Sequence, residues 1–151
     1  MIVLIRRLQN FRKEHRTEGP GNRQSLAIRH CDAGSCNGCE HELNLLSSPY
    51  HDIQRFGLSL VSSPRHADIL LVSGSVTSGM REPLLAAHSA MPEPKKVIAL
   101  GNCAIGEGLL GNSELTGLGV SQLLPVDAAI PGCPPTPEKI VSAILSLAKK
   151  S

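Results

Sequence analysis

Apolar and polar positions form alternating blocks along residues 26–148, and these blocks predict a succession of strands and helices. The strand-like blocks are short apolar runs at 26–29, 58–61, 68–73, 96–100 and within 123–130. The helix-like blocks are 39–47, 81–90 and a last segment in which Thr136 precedes Pro137 as the cap. Continuous apolar strands that alternate with helices predict an α/β fold, whose mainly parallel sheet has helices on both faces.

The first 24 residues do not follow this pattern. Apolar positions predict a helix over 1–16, and Gly19-Pro20-Gly21 predicts a linker behind it. Residues 1–30 carry a net charge of +5 and the remainder −3, which gives the +2 of the 151-residue chain. We therefore interpret 1–24 as a basic N-terminal arm and linker, and 25–151 as a single α/β domain. The basic arm is equally consistent with contact with a membrane surface or a partner and with a solvated helix and linker.

The composition disfavours several classes of function. A net charge of +2 and an aromatic content of 2% argue against nucleic acid as a partner, because nucleic-acid binding relies on basic surfaces and stacking rings. The apolar runs are far shorter than the roughly 20 residues of a transmembrane helix. Arg6 and Arg7 are followed by a polar stretch, whereas an export signal needs an apolar one. We expect a protein on the cytoplasmic side, with no transmembrane segment and no export signal.

Four of the five cysteines follow predicted strands. Cys36 and Cys39 come after the first strand, Cys103 after 96–100, and Cys133 after the last strand. Because the carboxyl ends of parallel strands meet at one edge of a sheet, we expect these thiols to lie together. Four thiolates suit an iron–sulfur cluster or a zinc ion. One Cys-x-x-Cys pair with two single cysteines favours a cluster, since zinc sites commonly use two such pairs.

Other interpretations of the cysteines stay open on spacing alone. A thioredoxin-like dithiol at Cys36 and Cys39 is possible chemistry, but it leaves Cys103 and Cys133 without a role. Cys31 is the fifth cysteine and fits none of these spacings. We interpret it as a small buried apolar residue at the end of the first strand.

Segments along the chain resemble NiFe hydrogenase small subunits, especially the energy-converting membrane-bound group that includes formate hydrogenlyase and the carbon-monoxide-induced hydrogenase. The segments are 34–40 (GSCNGCE), 74–77 (GSVT), 91–95 (MPEPK), 97–104 (VIALGNCA) and 126–135 (VDAAIPGCPP). All but the first resemble equally the small cluster-bearing subunit of respiratory complex I. The resemblance extends over about residues 25–148 and implies a flavodoxin-like α/β fold.

The resemblance implies one 4Fe-4S cluster bound by Cys36, Cys39, Cys103 and Cys133. The complex I subunit has two adjacent cysteines at the first ligand position, whereas this chain has the Cys-x-x-Cys of the hydrogenase form. No cysteine follows Cys133, so we expect the proximal cluster only. The implied partners are the NiFe hydrogenase large subunit, a ferredoxin-like iron–sulfur subunit and integral membrane subunits. The chain itself is expected to be a peripheral, non-catalytic electron-transfer subunit with no activity alone.

Two alternatives to the hydrogenase interpretation remain. The first is an electron-transfer subunit of a complex I-like complex, quinone- or sulfur-reducing, that is built on the same module without nickel. The second is a zinc-stabilised interaction module, in which the same thiols have no redox role. The colour of the protein separates a cluster from zinc, because a cluster is brown and zinc is colourless.

Other polar motifs give weaker signals. Glu40 lies beside Cys39, and we treat it as a hypothetical proton route to the nickel centre, although an exposed glutamate also suits a helix start. The sequence 106–111 spells Gly-x-Gly-x-x-Gly, but it does not directly follow a predicted strand, so we interpret it as a loop. The histidines show no metal-ligand spacing and are interpreted as surface or partner contacts, with a weak signal that His30, at the end of the first strand, lies near the cluster. They are His15, His30, His41, His51, His66 and His88.

Overall fold

The computed structural model describes residues 25–109, 115–117 and 119–148. Its strands are β1 (Leu26–Asp32), β2 (Leu58–Leu60), β3 (Ile69–Ser73), β4 (Lys96–Leu100) and β5 (Ala128–Ile130). Its α-helices are α1 (Gly38–Leu45), α2 (Arg81–Ala90), α3 (Gly101–Ile105) and α4 (Pro137–Ala148). Short 3₁₀ segments lie at Ile53–Phe56, Pro64–His66, Ser78–Met80 and Val120–Gln122. The predicted helix over 1–16 and the linker behind it lie outside the described residues.

The five described strands run parallel in one sheet, in the order β2-β1-β3-β4-β5. This confirms the predicted parallel α/β fold, and the strand order is that of flavodoxin-like folds. From β1 the chain passes to β2 at one edge of the sheet, and it then crosses to β3, which lies on the other side of β1. Folds with this order hold their ligands where the two connections diverge, outside the carboxyl ends of the strands.

Apolar side chains cover both faces of the sheet and form two core clusters. One face packs against α1 and α4 through Leu43 and Ile144, and the other packs against α2 and α3 through Leu84 and Ala104. Strand β3 is buried along its whole length, with alternate residues in the two clusters. Close packing from both sides gives the loops at the carboxyl edge a rigid base.

Aspartates fix the amino ends of two strand pairs. Asp68 precedes β3, and its Oδ2 accepts a hydrogen bond of 2.8 Å from the backbone nitrogen of Ala27 in β1. Asp127 precedes β5, and its Oδ2 accepts one of 2.7 Å from the backbone nitrogen of Val97 in β4. Each carboxylate accepts a hydrogen bond from a backbone N–H at the start of the neighbouring strand. These bonds fix the register of the two strands at their amino ends.

The structure differs from the predicted elements in two places that matter for the site. Strand β1 extends to Asp32 instead of ending at 29, because His30 and Asp32 pair with β3 opposite Leu71 and Ser73. Helix α3 is not predicted by the pattern; it begins directly after β4 and is only five residues long. Within the described ranges, no helix has the length and hydrophobicity needed to cross a bilayer.

Candidate metal centre

The four cysteines that the sequence singles out lie at the carboxyl edge of the sheet. Cys36 is in the turn between β1 and α1, and Cys39 is in the first turn of α1. Cys103 is on α3 directly behind β4, and Cys133 is in the loop that follows β5. Cys36 and Cys133 are exposed, while Cys39 and Cys103 are half-buried. The edge therefore carries thiols from three strand ends, as expected.

Cys39 lies in surroundings that disfavour its thiolate form. Burial, together with the negative charges of Glu40, Cys103, Cys36 and Cys133, raises the pKa of Cys39 to about 12. Its sulfur also lies 3.9 Å from the carbonyl oxygen of Leu100, at the end of β4. The α1 turn is thus packed against the strand that leads to Cys103.

Four neighbouring thiols are a donor set that a cationic centre stabilises. Like charges repel, so neighbouring thiolates disfavour one another, and a bound cation reverses this effect. Binding a metal centre here therefore releases protons. Sulfur donors favour zinc, copper(I) or iron–sulfur clusters over hard ions such as magnesium.

Glycines bring backbone close against two of the sulfurs. An added Cβ at Gly101 would lie 2.7 Å from Cys39 Sγ, and Gly101 has a φ of +82°. An added Cβ at Gly108 would overlap Cys103 Sγ, whereas one at Gly38 would lie an ordinary 3.6 Å from Cys36 Sγ. Close backbone approach around a bulky group is a common use of glycine. The surroundings of Cys39 and Cys103 leave no room for side chains at 101 and 108.

The donor set and these glycines fit a 4Fe-4S cluster held by four thiolates. No three His, Cys, Asp or Glu side chains among the described residues are placed to bind one metal ion together. A four-iron cluster does not require that proximity, since each thiolate binds a different iron atom. The ligand residues themselves remain a prediction.

The turn that carries Cys36 is organised by side chains next to it. Asp32 Oδ1 accepts hydrogen bonds from the backbone nitrogens of Gly34 and Ser35, at 2.9 and 2.8 Å. Ser35 Oγ accepts one of 3.1 Å from the backbone nitrogen of Asn37 and donates one of 2.7 Å to Glu40 Oε2. These bonds join the end of β1 to the first turn of α1, so they fix the direction in which Cys36 leaves the sheet.

Glu40 is part of a hydrogen-bonded chain that reaches β3 and β1. Ser73 Oγ, at the buried end of β3, donates a hydrogen bond to Glu40 Oε1 and lies 2.9 Å from His30 Nε2. His30 Nε2 is 3.4 Å from Glu40 Oε1. Burial lowers the pKa of His30, and Asp32 and Glu40 oppose that shift without cancelling it. The site therefore contains a polar chain that runs Ser35, Glu40, Ser73, His30.

Sequence reasoning missed part of this chain. Glu40 is no exposed helix-start glutamate, since only 16% of its side chain is accessible. The interpretation of all six histidines as surface or partner contacts is wrong for His51, which is buried, and incomplete for His30, which bonds to Ser73. The sequence does contain one sign of the role of Ser73, since a serine ends an otherwise apolar strand there.

The structure also places Cys31 and the first glycines of the Gly-x-Gly-x-x-Gly segment. Cys31 is buried among apolar residues of one core cluster, and burial raises its pKa, which confirms that it behaves as a small apolar residue. Gly106 caps the end of α3 instead of following a strand, so the Gly-x-Gly-x-x-Gly segment lacks the setting of a dinucleotide site. Gly111 lies outside the described residues.

Residues 36–147 match the protein family described as NADH ubiquinone oxidoreductase, 20 Kd subunit, and the chain belongs to this family. It is 43% identical over 123 residues to the probable membrane-bound hydrogenase subunit mbhJ of Pyrococcus furiosus, covering 82% of this chain and 74% of that protein. It is 45% identical over 115 residues to formate hydrogenlyase subunit 7 of Escherichia coli, covering 76% and 45%. It is 48% identical over 113 residues to NAD(P)H-quinone oxidoreductase subunit K of Picosynechococcus, covering 74% and 46%. The chain thus spans less than half the length of the last two relatives.

Solved structures show the same fold. A chain of the membrane-bound sulfane sulfur reductase, an archaeal respiratory membrane complex, superposes with a TM-score of 0.70 and 32% identity, covering 84% of this chain and 70% of that chain. A chain of an NAD⁺-reducing NiFe hydrogenase superposes with a TM-score of 0.65 and 20% identity, covering 83% and 93%. At that identity the hydrogenase likeness concerns the fold alone.

Proposed function

We propose that this chain is the electron-transfer small subunit of a membrane-associated NiFe hydrogenase and that it carries one proximal 4Fe-4S cluster. The observation that supports this most directly is that three strand ends bring Cys36, Cys39, Cys103 and Cys133 to the carboxyl edge of one parallel sheet. The membrane-bound hydrogenase subunit and formate hydrogenlyase relatives favour a hydrogenase. The Cys-x-x-Cys spacing of 36 and 39, which resembles the hydrogenase form, points the same way.

Cys36, Cys39, Cys103 and Cys133 would hold the cluster, which when bound carries one electron at a time between the partner's nickel–iron centre and the next carrier. The chain's own residues hold the thiolates in place and partly shield Cys39 from water. Cys133 is followed by Pro134 and Pro135, which have no N–H to donate. Hydrogen bonds to cluster sulfurs and burial both tune the potential of such centres.

The proposed partners follow from the relatives, which are subunits of membrane-bound hydrogenase and quinone-oxidoreductase complexes by name. We propose a NiFe large subunit, a ferredoxin-like iron–sulfur subunit and integral membrane subunits. The chain would sit peripherally on the cytoplasmic side of the membrane. It would have no hydrogenase activity alone, because the proposed nickel–iron centre belongs to the large subunit.

Glu40 is the residue that we propose for proton transfer toward that centre. Its support is the unbroken set of hydrogen bonds from Ser35 through Glu40 to Ser73 and His30. Glu40→Gln keeps the size of the side chain and removes its ability to carry a proton. We expect proton–dihydrogen turnover by the complex to fall with iron content unchanged, and unchanged turnover would remove Glu40 from the mechanism.

A complex I-like or sulfur-reducing complex without nickel is the second candidate. It is favoured by the 32% identity to the sulfane sulfur reductase chain and by the 48% identity to quinone oxidoreductase subunit K. The two candidates share the cluster and differ in the metal that the large subunit holds.

One experiment separates these candidates. The native complex is purified anaerobically through a tag on this chain, and its iron, nickel and zinc are measured together with the electron paramagnetic resonance (EPR) spectrum of the reduced sample. Iron with about one nickel per complex supports the hydrogenase. Iron without nickel supports the complex I-like candidate, and zinc in place of iron contradicts electron transfer and leaves the interaction module.

A further inference from the structure

A pair of hydrogen bonds joins the two loops that carry single cysteines. The backbone nitrogen of Asn102 donates to the carbonyl oxygen of Gly132 at 2.9 Å. The backbone nitrogen of Gly132 donates to the side-chain Oδ1 of Asn102 at 2.7 Å. Asn102 directly precedes Cys103, and Gly132 directly precedes Cys133. The pair therefore ties together the two positions from which these thiols leave the backbone.

The pair lies just beyond the parallel ladder between β4 and β5. That ladder ends with Leu100 opposite Ile130, whereas Asn102 is already in α3 and Gly132 is in the loop behind β5. The backbone carbonyl of Asn102 accepts from the backbone nitrogens of Gly106 and Glu107 at the end of α3. The acceptor that Gly132 uses is the side-chain oxygen of Asn102.

Gly132 has little freedom to find another acceptor. An added Cβ at Gly132 would lie 2.5 Å from the Cα of Pro135, and the residue has a φ of +151°. Its backbone is packed against the turn that follows Cys133. If Asn102 lost its side-chain oxygen, the N–H of Gly132 would be left without that partner, in a partly buried place.

We infer that Asn102 is a positioning residue, which holds Cys103 at a fixed separation from Cys133 and thereby controls how firmly the centre is bound. This inference rests on the proposed function, since it assigns Asn102 to the cluster ligands proposed above. A side chain with an acceptor oxygen at this length is required, and Asp is the conservative replacement.

The test compares Asn102→Ala and Asn102→Asp in the anaerobically purified complex. Asn44→Ala, an exposed asparagine on α1, is the matched control. The readouts are the rate of iron release to a chelator, and the EPR spectrum and midpoint potential of the cluster. We expect Asn102→Ala to release iron about tenfold faster, which corresponds to about 1.4 kcal/mol, with an altered EPR line shape.

Asn102→Asp is expected to release iron at the wild-type rate, because a carboxylate oxygen accepts the same bond. Its added negative charge lowers the midpoint potential, an effect that a general loss of stability would not produce. If Asn102→Ala fails to assemble, wild-type iron release by Asn102→Asp still supports the inference.

Wild-type iron release and line shape in Asn102→Ala would overturn the inference, as would failure of Asn102→Asp to retain iron. A wild-type complex without any iron–sulfur signal would instead overturn the proposed function. The two failures are therefore distinguishable.

Discussion

The four thiols belong to two regions that the chain builds in different ways. The Cys36–Cys39 turn is organised mainly by side chains within a few residues of it, chiefly Asp32 and Ser35. Cys103 and Cys133 lie 30 residues apart, and the hydrogen-bonded pair of Asn102 with Gly132 connects their loops. The first region is local in sequence, and the second depends on β4 and β5 being adjacent.

The difference implies that the two regions fail differently. The Cys36–Cys39 turn keeps most of its hydrogen bonds when one is removed, because several donors and acceptors contribute separate bonds. The connection between the loops of Cys103 and Cys133 has two hydrogen bonds, and only the backbone bond remains when the side chain of Asn102 is removed. We call the Cys36–Cys39 turn the paired turn, and we call Cys103 and Cys133, with the Asn102–Gly132 contact between their loops, the split pair. Substitutions in these two regions distinguish the contribution of local hydrogen bonding from that of sheet topology.

Loss of Cys39 is expected to have the largest effect. Cys39→Ser removes the proposed ligand in the first turn of α1, whose sulfur lies 3.9 Å from the carbonyl oxygen of Leu100 at the end of β4. We expect the iron content of the purified complex to fall about tenfold or more. Cys31→Ala is the matched control, since Cys31 is buried among apolar side chains. It is expected to retain wild-type iron and to cost about 1 kcal/mol of unfolding free energy; equal iron loss in both variants would contradict the proposed ligand set.

Substitution of Gly101 is expected to have the second-largest effect, because Gly101 lies against Cys39 Sγ and two residues before Cys103. Gly101→Ala places a Cβ 2.7 Å from Cys39 Sγ at a φ of +82°, a backbone strain of about 1–2 kcal/mol in addition to the overlap. We expect a several-fold loss of iron and a lower melting temperature of the complex.

Gly38→Ala is the matched control for that substitution. Its Cβ would meet Cys36 Sγ at 3.6 Å, an ordinary contact, at the first residue of α1. Alanine is the better helix former, so we expect wild-type iron content and equal or slightly higher stability. Equal behaviour of the two glycine variants would show that the sulfurs adapt freely to the backbone.

These contrasts also show what the sequence could predict. The run 96–100 became β4 with the same bounds, and the positions of Cys36, Cys39, Cys103 and Cys133 after strands followed from the order of elements. Apolar runs and turn residues are local signals, and the parallel sheet converts their order into a common edge. The fold and the grouping of the thiols were accessible for that reason.

The polar contacts behind the thiols were not accessible from the sequence. His30 bonds to Ser73 across 43 residues, and Gly132 bonds to Asn102 across 30. Such contacts depend on which strands are neighbours and on their register, which periodicity alone leaves open. Helix α3 was missed because its five residues include a glycine and begin without a loop after β4.

Ser73 supplies a test of the paired turn that is expected to be milder. Ser73→Ala removes the donor to Glu40 and the partner of His30 at the buried end of β3. We expect a loss of about 1–3 kcal/mol in unfolding free energy, with iron retained, because the bonds of Asp32 and Ser35 remain. Ser89→Ala removes an exposed hydroxyl that bonds within α2, and it is expected to be nearly neutral. A neutral Ser73→Ala, measured by thermal unfolding of the complex, would show that Ser35 alone holds Glu40.

The smallest expected effect concerns pH. Burial lowers the pKa of His30 below 6.5, so the unfolded chain binds a proton there more readily than the folded chain does. The stability that comes with neutral His30 is present above pH 6.5 and is lost as the pH falls through the folded-state pKa. We expect the melting temperature of the wild-type complex to fall more steeply below pH 6.5 than that of His30→Gln. His41→Gln, which removes an exposed imidazole on α1, is the control. An equal slope in wild type and His30→Gln would mean that burial of His30 is compensated by Glu40, and the paired turn would then respond to pH no more than the split pair.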